Sequence, residues 1–421
     1  MIAVLRQRNF ALLWWGGLIS FMGDWVMFTA LPLYVLFLTG SVAAMGLYFV
    51  LAAVPGIVLG SVAGVFVDRW DRKWVLVATN LLLVPIYCLL LLVDAPDKVW
   101  ITYVVALLGN VVRQLLNPAE NALLPKLVGE SDLVTANSLN SLNNNLARLV
   151  GPAIGGVVFA FFGFQASVLL DVVSFAVAAA LIALIAAPRS ITRATHHDGE
   201  DPAGLQQRNV FREWIAGLQV IRNNRTLSTI LGLATMVWLA DGAITVLFVV
   251  YVTEALHAGS MELGWLMTAQ AIGGLLGGLL IGRVSKKAQA WQLIAYGLLL
   301  FGLIDLLIFA IPILPLNLVL LVIIGVPLVG LDVGVNTLLQ TLTPDRYRGR
   351  VFGTVGTSSA VLLLVGRALA TVLGGQVPVV LLLVSMSLLV VLSGVLAFRL
   401  LRDPNQVPLA QMREEKEAAA A

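Results

Sequence analysis

Cysteine is nearly missing from this chain, with one residue, Cys88, in 421. A single thiol excludes an intrachain disulfide and any thiolate metal cluster. Charge is scarce too. Asp, Glu, Lys and Arg make up 12% of the residues, where a soluble domain carries about 25%. Histidine is limited to His196, His197 and His257, all in expected loops. The sequence has no HExxH motif, no nucleophile elbow and no Walker motif. These absences argue against a polytopic membrane enzyme, and the chain has no means of hydrolysing ATP. His196 and His197 stand beside Asp198, but adjacent histidines on a linker have no fixed ligand geometry, so no metal site is expected. No cleavable leader is expected either. The start, MIAVLRQRNF, runs into an apolar stretch longer than a signal-peptide core and reads as a first transmembrane helix.

What fills the chain instead is apolar. Hydrophobic residues are 59% of it and its mean hydropathy is +0.95. No water-soluble fold could bury that much, so the bilayer is the solvent. A spanning helix needs roughly 20 apolar residues. Twelve candidates occur, at 10–38, 44–66, 74–93, 99–118, 137–163, 166–187, 227–253, 262–283, 290–311, 316–338, 351–375 and 377–400. With the N-terminus cytoplasmic, Lys98 alone of the 26 Lys and Arg residues falls on the outer side, and Arg113, Arg148 and Arg367 fall inside spans. That asymmetry fixes orientation by the positive-inside rule. It predicts a multi-pass protein of the cytoplasmic membrane with both termini inside. The net charge of +3 follows from topology and does not point to nucleic acid.

Residues 188–226 are the longest polar stretch. They open as a flexible linker and continue RNVFREWIAGLQVIRNN, where Phe211, Trp214, Ile215, Leu218 and Ile221 recur at helical spacing. The pattern predicts an amphipathic helix on the cytoplasmic membrane surface. Around this linker the chain repeats. GVFVDRWDRK at 64–73 returns as GLLIGRVSKK at 278–287, RLVGPAIGG at 148–156 as RALATVLGG at 367–375, and Asp24 as Asp241. The chain therefore divides into a six-helix half at 1–187, a linker at 188–226, a second half at 227–402 and a tail at 403–421, the halves forming a parallel repeat. Such repeats place a substrate site near the membrane midplane between them. Glycines spaced by four, at 56, 60 and 64 and at 274, 278 and 282, predict close helix crossings. The fold class is all-α and polytopic.

At these residues the chain resembles the major facilitator superfamily. GVFVDRWDRK matches its loop 2–3 signature, carried here by Gly64, Asp68, Arg69 and Arg72. LARLVGPAIGG is similar to the fifth-helix signature of the family's antiporters, carried by Gly151, Pro152, Gly155 and Gly156. LLGNVVRQLLN resembles the fourth-helix signature around Arg113, without the usual Gln–Gly after it. NFALLWWGGLISFMGDW and LTPDRYRGRVFG resemble the subgroup of siderophore and macrolide exporters. The resemblance implies that Asp68 faces the start of the eleventh helix near Val351. A carboxylate there contributes about 0.3–1 kcal/mol. The contact exists only while the cytoplasmic side is closed, with Arg72 and Glu120 as further members of the cluster.

Charges inside spans are expensive, about 2.5–3.5 kcal/mol at a helix centre, and mark function by default. Asp24, Arg113, Asp241 and Asp332 sit on spans 1, 4, 7 and 10, which line the cavity in this family. Asp24 and Asp241 are the expected proton-linked acids, with Arg113 and Asp332 nearer the cytoplasm. Arg148 and Arg367 are expected to partner cavity carboxylates. Asp24 paired structurally with Arg113 or Arg148 is the competing reading. Asp171 and Asp305, on spans 6 and 9, are expected to serve helix pairing or snorkelling. Trp25, Met27, Phe28 and Trp238 are candidates for a cavity lining adaptable to apolar ligands. The expected activity is export of amphipathic small molecules by proton antiport and alternating access, with no cofactor beyond the proton gradient. A lipid or lysolipid flippase and a siderophore exporter are the alternatives of the same fold; a channel fits the paired halves less well. The expected partners are substrate, protons and lipid, and the expected state is a monomer. Asp68→Asn is expected to keep folding and expression, weaken transport and shift the population toward inward-open. Distances between spin labels on the cytoplasmic ends of the two halves check this, and an unchanged distribution would refute the lock.

Overall fold

A bilayer leaves backbone polar groups nothing to bond except one another, so apolar runs of this length become helices. The computed structural model describes residues 2–60, 67, 69–186, 210–285, 288–344 and 347–402, with residues 2, 130, 210–213 and 216 as backbone alone. Its helices are α1 Arg8–Thr39, α2 Val42–Leu59, α3 Arg72–Cys88, α4 Trp100–Arg113, α5 Leu116–Leu127, α6 Leu133–Ala183, α7 Val210–Arg222, α8 Arg225–Val250, α9 Ser260–Val284, α10 Ala290–Ala310, α11 Leu314–Leu342, α12 Arg348–Leu373 and α13 Val379–Leu400. Among the described residues, eleven helices are long and apolar enough to cross a membrane, α4 and α5 counting together as one. The expected fifth and sixth spans are joined in α6, 51 residues long. At about 1.5 Å per residue that is more than twice the hydrocarbon thickness. Its middle is broken at Gly163, whose φ of 81° and ψ of −178° are not helical. Left-handed φ is strained for any residue with a Cβ, which is why glycine stands there.

Local chemistry sets several boundaries. Asp71, from the charged loop, caps α3: its carboxylate accepts from the Lys73 and Trp74 backbone amides at 3.0 and 3.2 Å. Asn224 caps α8 through Thr226 and Leu227 in the same way. The fourth span ends its first helix at Arg113, turns at Gln114–Leu115 and continues to Leu127, nine residues past the expected end.

The chain forms two compact units. The first gathers residues 1–28, 51–151 and 161–213; the second gathers 29–50, 152–160 and 214–421. In the first unit α1 is clamped to α6. The Trp14 indole donates to the Leu139 carbonyl at 2.9 Å, and the Asn143 amide donates back to the Trp14 carbonyl at 2.7 Å. Phe10, Leu76, Leu124 and Leu139 are among the core residues around that clamp.

In the second unit the helices cross on glycine. Gly273 and Gly277 of α9 meet the backbone of α11 at Val322 and Gly325; Gly302 of α10 meets Val390 and Val391 of α13; Gly366 of α12 meets Leu239 and Ala243 of α8. This corrects the expected stripe. Among the described residues, Gly274, Gly278 and Gly282 have no neighbouring atom within 4 Å of an added Cβ. One position along a helix is a rotation of about 100°, so the packed face runs through 273 and 277 instead. Gly60 and Gly56 of α2 lie 3.8 and 3.7 Å from the Gln114 side chain by the same measure, and Gly64 lies outside the described residues.

The amphipathic helix α7 forms at the expected place. Its inner face is packed on protein: the Thr354 hydroxyl of α12 donates to the Trp214 carbonyl at 3.2 Å, and Ile221 is buried with Leu227, Leu339 and Val351. Trp214 also donates to Ser358 at 3.4 Å. Ile215 is left exposed.

Gly325→Leu is expected to destabilise the protein by about 1–3 kcal/mol, because the added side chain meets fixed backbone. Gly274→Leu is expected to stay within about 0.5 kcal/mol. Thermal midpoints in detergent would check the pair, and equal midpoints would overturn the assigned packing face.

Candidate functional site

The first unit holds a charged cluster built from four helices. Asp24 on α1 forms an ion pair with Arg113 at the end of α4. The guanidinium carbon lies 5.2 Å from the Tyr87 ring centre and 5.5 Å from that of Phe175, and those two rings meet edge to face at 5.3 Å. A cation over aromatic faces gains attraction that grows as water is excluded. The close seat is local sequence chemistry: at Gly109, one turn before Arg113, an added Cβ would stand 3.0 Å from the Tyr87 ring. A cavity of about 390 Å³ opens on the pair, lined by Phe21, Asp24, Gly60, Arg113, Gln114 and Asn117 among others.

A third charge completes the cluster. Asp171 on α6 is 0% exposed, and Asp24 and Arg113 act on it electrostatically. Ser174 donates to the Asp171 carbonyl at 2.7 Å and reaches one carboxylate oxygen at 3.3 Å. Its other carboxylate oxygen is buried without a hydrogen bond. Gly23 of α1 makes room: a Cβ there would collide with Ser174 and Asp171. One guanidinium thus faces two carboxylates across α1, α4 and α6. Burial rules out the snorkelling expected of Asp171. Helix pairing, the other role expected of Asp171, fits its seat, since it faces Asp24 of α1 and Arg113 of α4.

The second unit repeats the composition. Asp241 on α8 lies within the field of Arg367 on α12, with Tyr48 of α2 close by. Asp305 on α10, 5% exposed, faces Asp241 electrostatically and also has a buried oxygen without a hydrogen bond. The landmark repeat Asp24 and Asp241 therefore marks two clusters of one arginine and two acids. Asp305, like Asp171, does not snorkel.

The remaining candidates are more dispersed. Asp332 is exposed and accepts from Asn336, one turn along its own helix, at 2.9 Å. Arg148 is exposed, with its guanidinium 6.0 Å over the Trp25 ring. Trp25 packs edge to face with Phe28 at 5.2 Å. Met27 is 3% exposed, held in packing rather than at an open wall, and Trp238 is half-buried. Of the loop lock, Gly64 and Asp68 lie outside the described residues; Arg69 is exposed, Arg72 half-buried, and Glu120 accepts from Asn140 at 2.9 Å. The fifth-helix signature is spent on close crossings. Gly151 packs on Trp25 and Met22 in the first unit. In the second, Pro152 and Gly156 pack on Gly264 and Ser260 of α9, where the Ser260 hydroxyl donates to the Gly156 carbonyl at 3.0 Å. Gly155 is buried.

Comparison with known proteins places this geometry. A family model described as transmembrane secretion effector matches residues 1–419. Macrolide efflux protein A of Streptococcus pyogenes is 25% identical over 382 residues, covering 89% of this chain and 91% of the relative. Multidrug efflux pump Tap of Mycolicibacterium fortuitum is 28% identical over 382 residues, covering 87% and 89%. In fold, the chain is similar to the nucleoside transporter NupG, with a TM-score of 0.73 at 14% identity over 94% of this chain and 99% of that one. It is also similar to a bacterial homologue of the iron transporter ferroportin in an inward-facing state, with a TM-score of 0.70 at 18% identity over 94% and 99%.

Arg113→Met leaves Asp24 and Asp171 facing each other without a cation, an imbalance expected to cost about 3–5 kcal/mol. Adding Asp24→Asn to that variant is expected to restore much of the loss. Melting temperatures of the single and double variants measure it; coincident values would show that charge balance is not what holds the cluster.

Proposed function

The chain belongs to the transmembrane secretion effector family of the major facilitator superfamily, and we propose that it exports amphipathic small molecules by proton antiport. It is a multi-pass membrane transporter rather than an enzyme. The observation that carries the proton reading is the first cluster, in which Arg113 faces two acids and a cavity opens on the pair. When a proton neutralises Asp24, Arg113 is released toward Asp171, and the α1–α4 contact loosens. When the proton leaves, the ion pair re-forms. A cationic or bulky ligand seated in the cavity beside the pair competes with the proton on Asp24 and favours its release. That competition is the minimum required for exchange, since a ligand shifts an equilibrium only by its differential affinity for two states. The names of the relatives, macrolide and multidrug efflux pumps, support the direction and the substrate class.

Alternating access draws support from the second unit. There residues 29–50 and 152–160, the ends of α1, α2 and the first part of α6, pack on α9 and α12 through Gly46, Gly156 and Gly264. Small residues let these backbones touch, which suits a seal that opens and closes. The arginine-poor end carrying this seal faces the cell exterior in the proposed topology of twelve crossings, with Gly163 as an external turn and both termini cytoplasmic.

Asp24→Asn is expected to keep substrate binding and abolish export driven by a pH gradient. Dye uptake into inverted vesicles, with and without the gradient, tests the reading alongside dye binding and the melting temperature. A stable Asp24→Asn protein with wild-type proton-driven uptake would overturn it.

A further inference from the structure

A second cavity, of about 670 Å³, lies wholly within the second unit and is lined by no Lys or Arg. Ligand sites run from about 300 to 1,000 Å³, so the volume suits a small organic molecule. Its walls come from Leu33, Leu36 and Phe37 of α1, Phe159 and Ala160 of α6, Met261 of α9 and the turn between α8 and α9. Phe37 is 83% exposed, and Phe159 is held edge to face by Tyr34 at 6.5 Å. The wall is thus aromatic and apolar.

Its charge has one sign. The turn contributes Glu254 and the first turn of α9 contributes Glu262 to the lining, and residues 253–262 contain no Lys or Arg. Glu262 gives one carboxylate oxygen to the Gly259 backbone amide at 2.9 Å, capping α9. Glu254 is exposed and forms no ion pair among the described residues. The outer-side lysine expected from the sequence, Lys98, pairs with Asp94 at 2.7 Å.

The turn is shaped and fixed. Tyr251–Ala255 form a π-helical turn at the end of α8, a rare insertion found often at functional sites. Its first residue, Tyr251, is fully buried and donates to the Ile308 carbonyl at 2.5 Å while accepting from Asn317 at 2.7 Å. After the turn, His257 adopts a left-handed φ of 49°, a strained value for a residue with a Cβ that persists where surrounding structure enforces it. The buried Tyr251 thus anchors the turn that carries the exposed Glu254. Ser260, also a wall residue, makes the hydrogen bond to Gly156 that closes the α6–α9 crossing, so the seal is the floor of the cavity.

We propose that this cavity is a binding site for amphipathic monocations, with Phe37 and Phe159 taking the apolar body and Glu254 the charge. Attraction of a cation to aromatic faces and to a nearby carboxylate is the shared recognition chemistry. That the ligand occupies it on the way out rests on the export reading; the binding itself does not.

The test uses Cys88, the sole cysteine. In a Cys88→Ser background, Ala160→Cys places a thiol on the exposed cavity wall. A membrane-impermeant maleimide labels it in purified protein in nanodiscs, with no gradient. Tetraphenylphosphonium is expected to slow labelling, and the neutral triphenylphosphine oxide is not. Glu254→Gln is expected to raise the half-protecting concentration about fivefold, the size of one exposed opposite charge at contact distance. Glu254→Asp is expected to keep the parent value and controls for misfolding. Absence of protection in the parent, or an unchanged midpoint in Glu254→Gln, overturns the proposal. Protection that persists while gradient-driven export is absent leaves the cation site standing and removes the export reading instead.

Discussion

A charge held among apolar helices has to be answered by another charge, and the first unit is organised around one such answer. Arg113 pairs with Asp24 and lies beside the touching rings of Tyr87 and Phe175, with Asp171 buried in the same cluster. The neighbouring sequence is arranged to admit these groups. Gly109 admits Tyr87, Gly23 admits Ser174 and Asp171, and the fourth span breaks directly after Arg113. One cation thus faces two acids, so the three groups depend on one another for their charge balance. An uncompensated buried charge costs several kcal/mol, so removing any one of the three groups strains the contact between α1, α4 and α6.

The second constraint is steric. Without a hydrophobic drive between helices in lipid, packing comes from backbone approach at small residues. The second unit uses that device at α9–α11, α10–α13 and α8–α12, and again where Pro152 and Gly156 meet α9. The fifth-helix signature therefore contributes shape, and the acids contribute charge. The cavity above Ser260 joins the two, since its floor is a glycine crossing and its rim carries carboxylates.

The charged loop that separates the second and third spans divides its work. Asp71 caps α3, which explains one of its acids by local chemistry alone. Asp68, given a conformational role by resemblance, lies outside the described residues. Helix α7 shows how amphipathic spacing can be read correctly and still leave the partner open: the period of Trp214, Leu218 and Ile221 requires an apolar surface. That surface includes α12, through Thr354 and Val351.

The sequence by itself determined the solvent, the helical class and the repeat. Hydropathy runs, arginine asymmetry and Asp24 matched by Asp241 depend only on composition and order along the chain. It also flagged the charges that form the two clusters, Asp24, Arg113, Asp171, Asp241, Asp305 and Arg367, because the cost of burying charge does not depend on what lies nearby. Tertiary structure decided the partners. Asp171 and Asp305 moved from the periphery to the clusters, and Gly273 and Gly277 replaced Gly274 and Gly278 as the crossing face. Met27 turned into packing, and Phe159 came beside Glu254 from distant parts of the chain. Each of these depends on rotation about a helix axis. A shift of one residue turns a side chain by about 100°, and only packing against neighbouring helices fixes that angle.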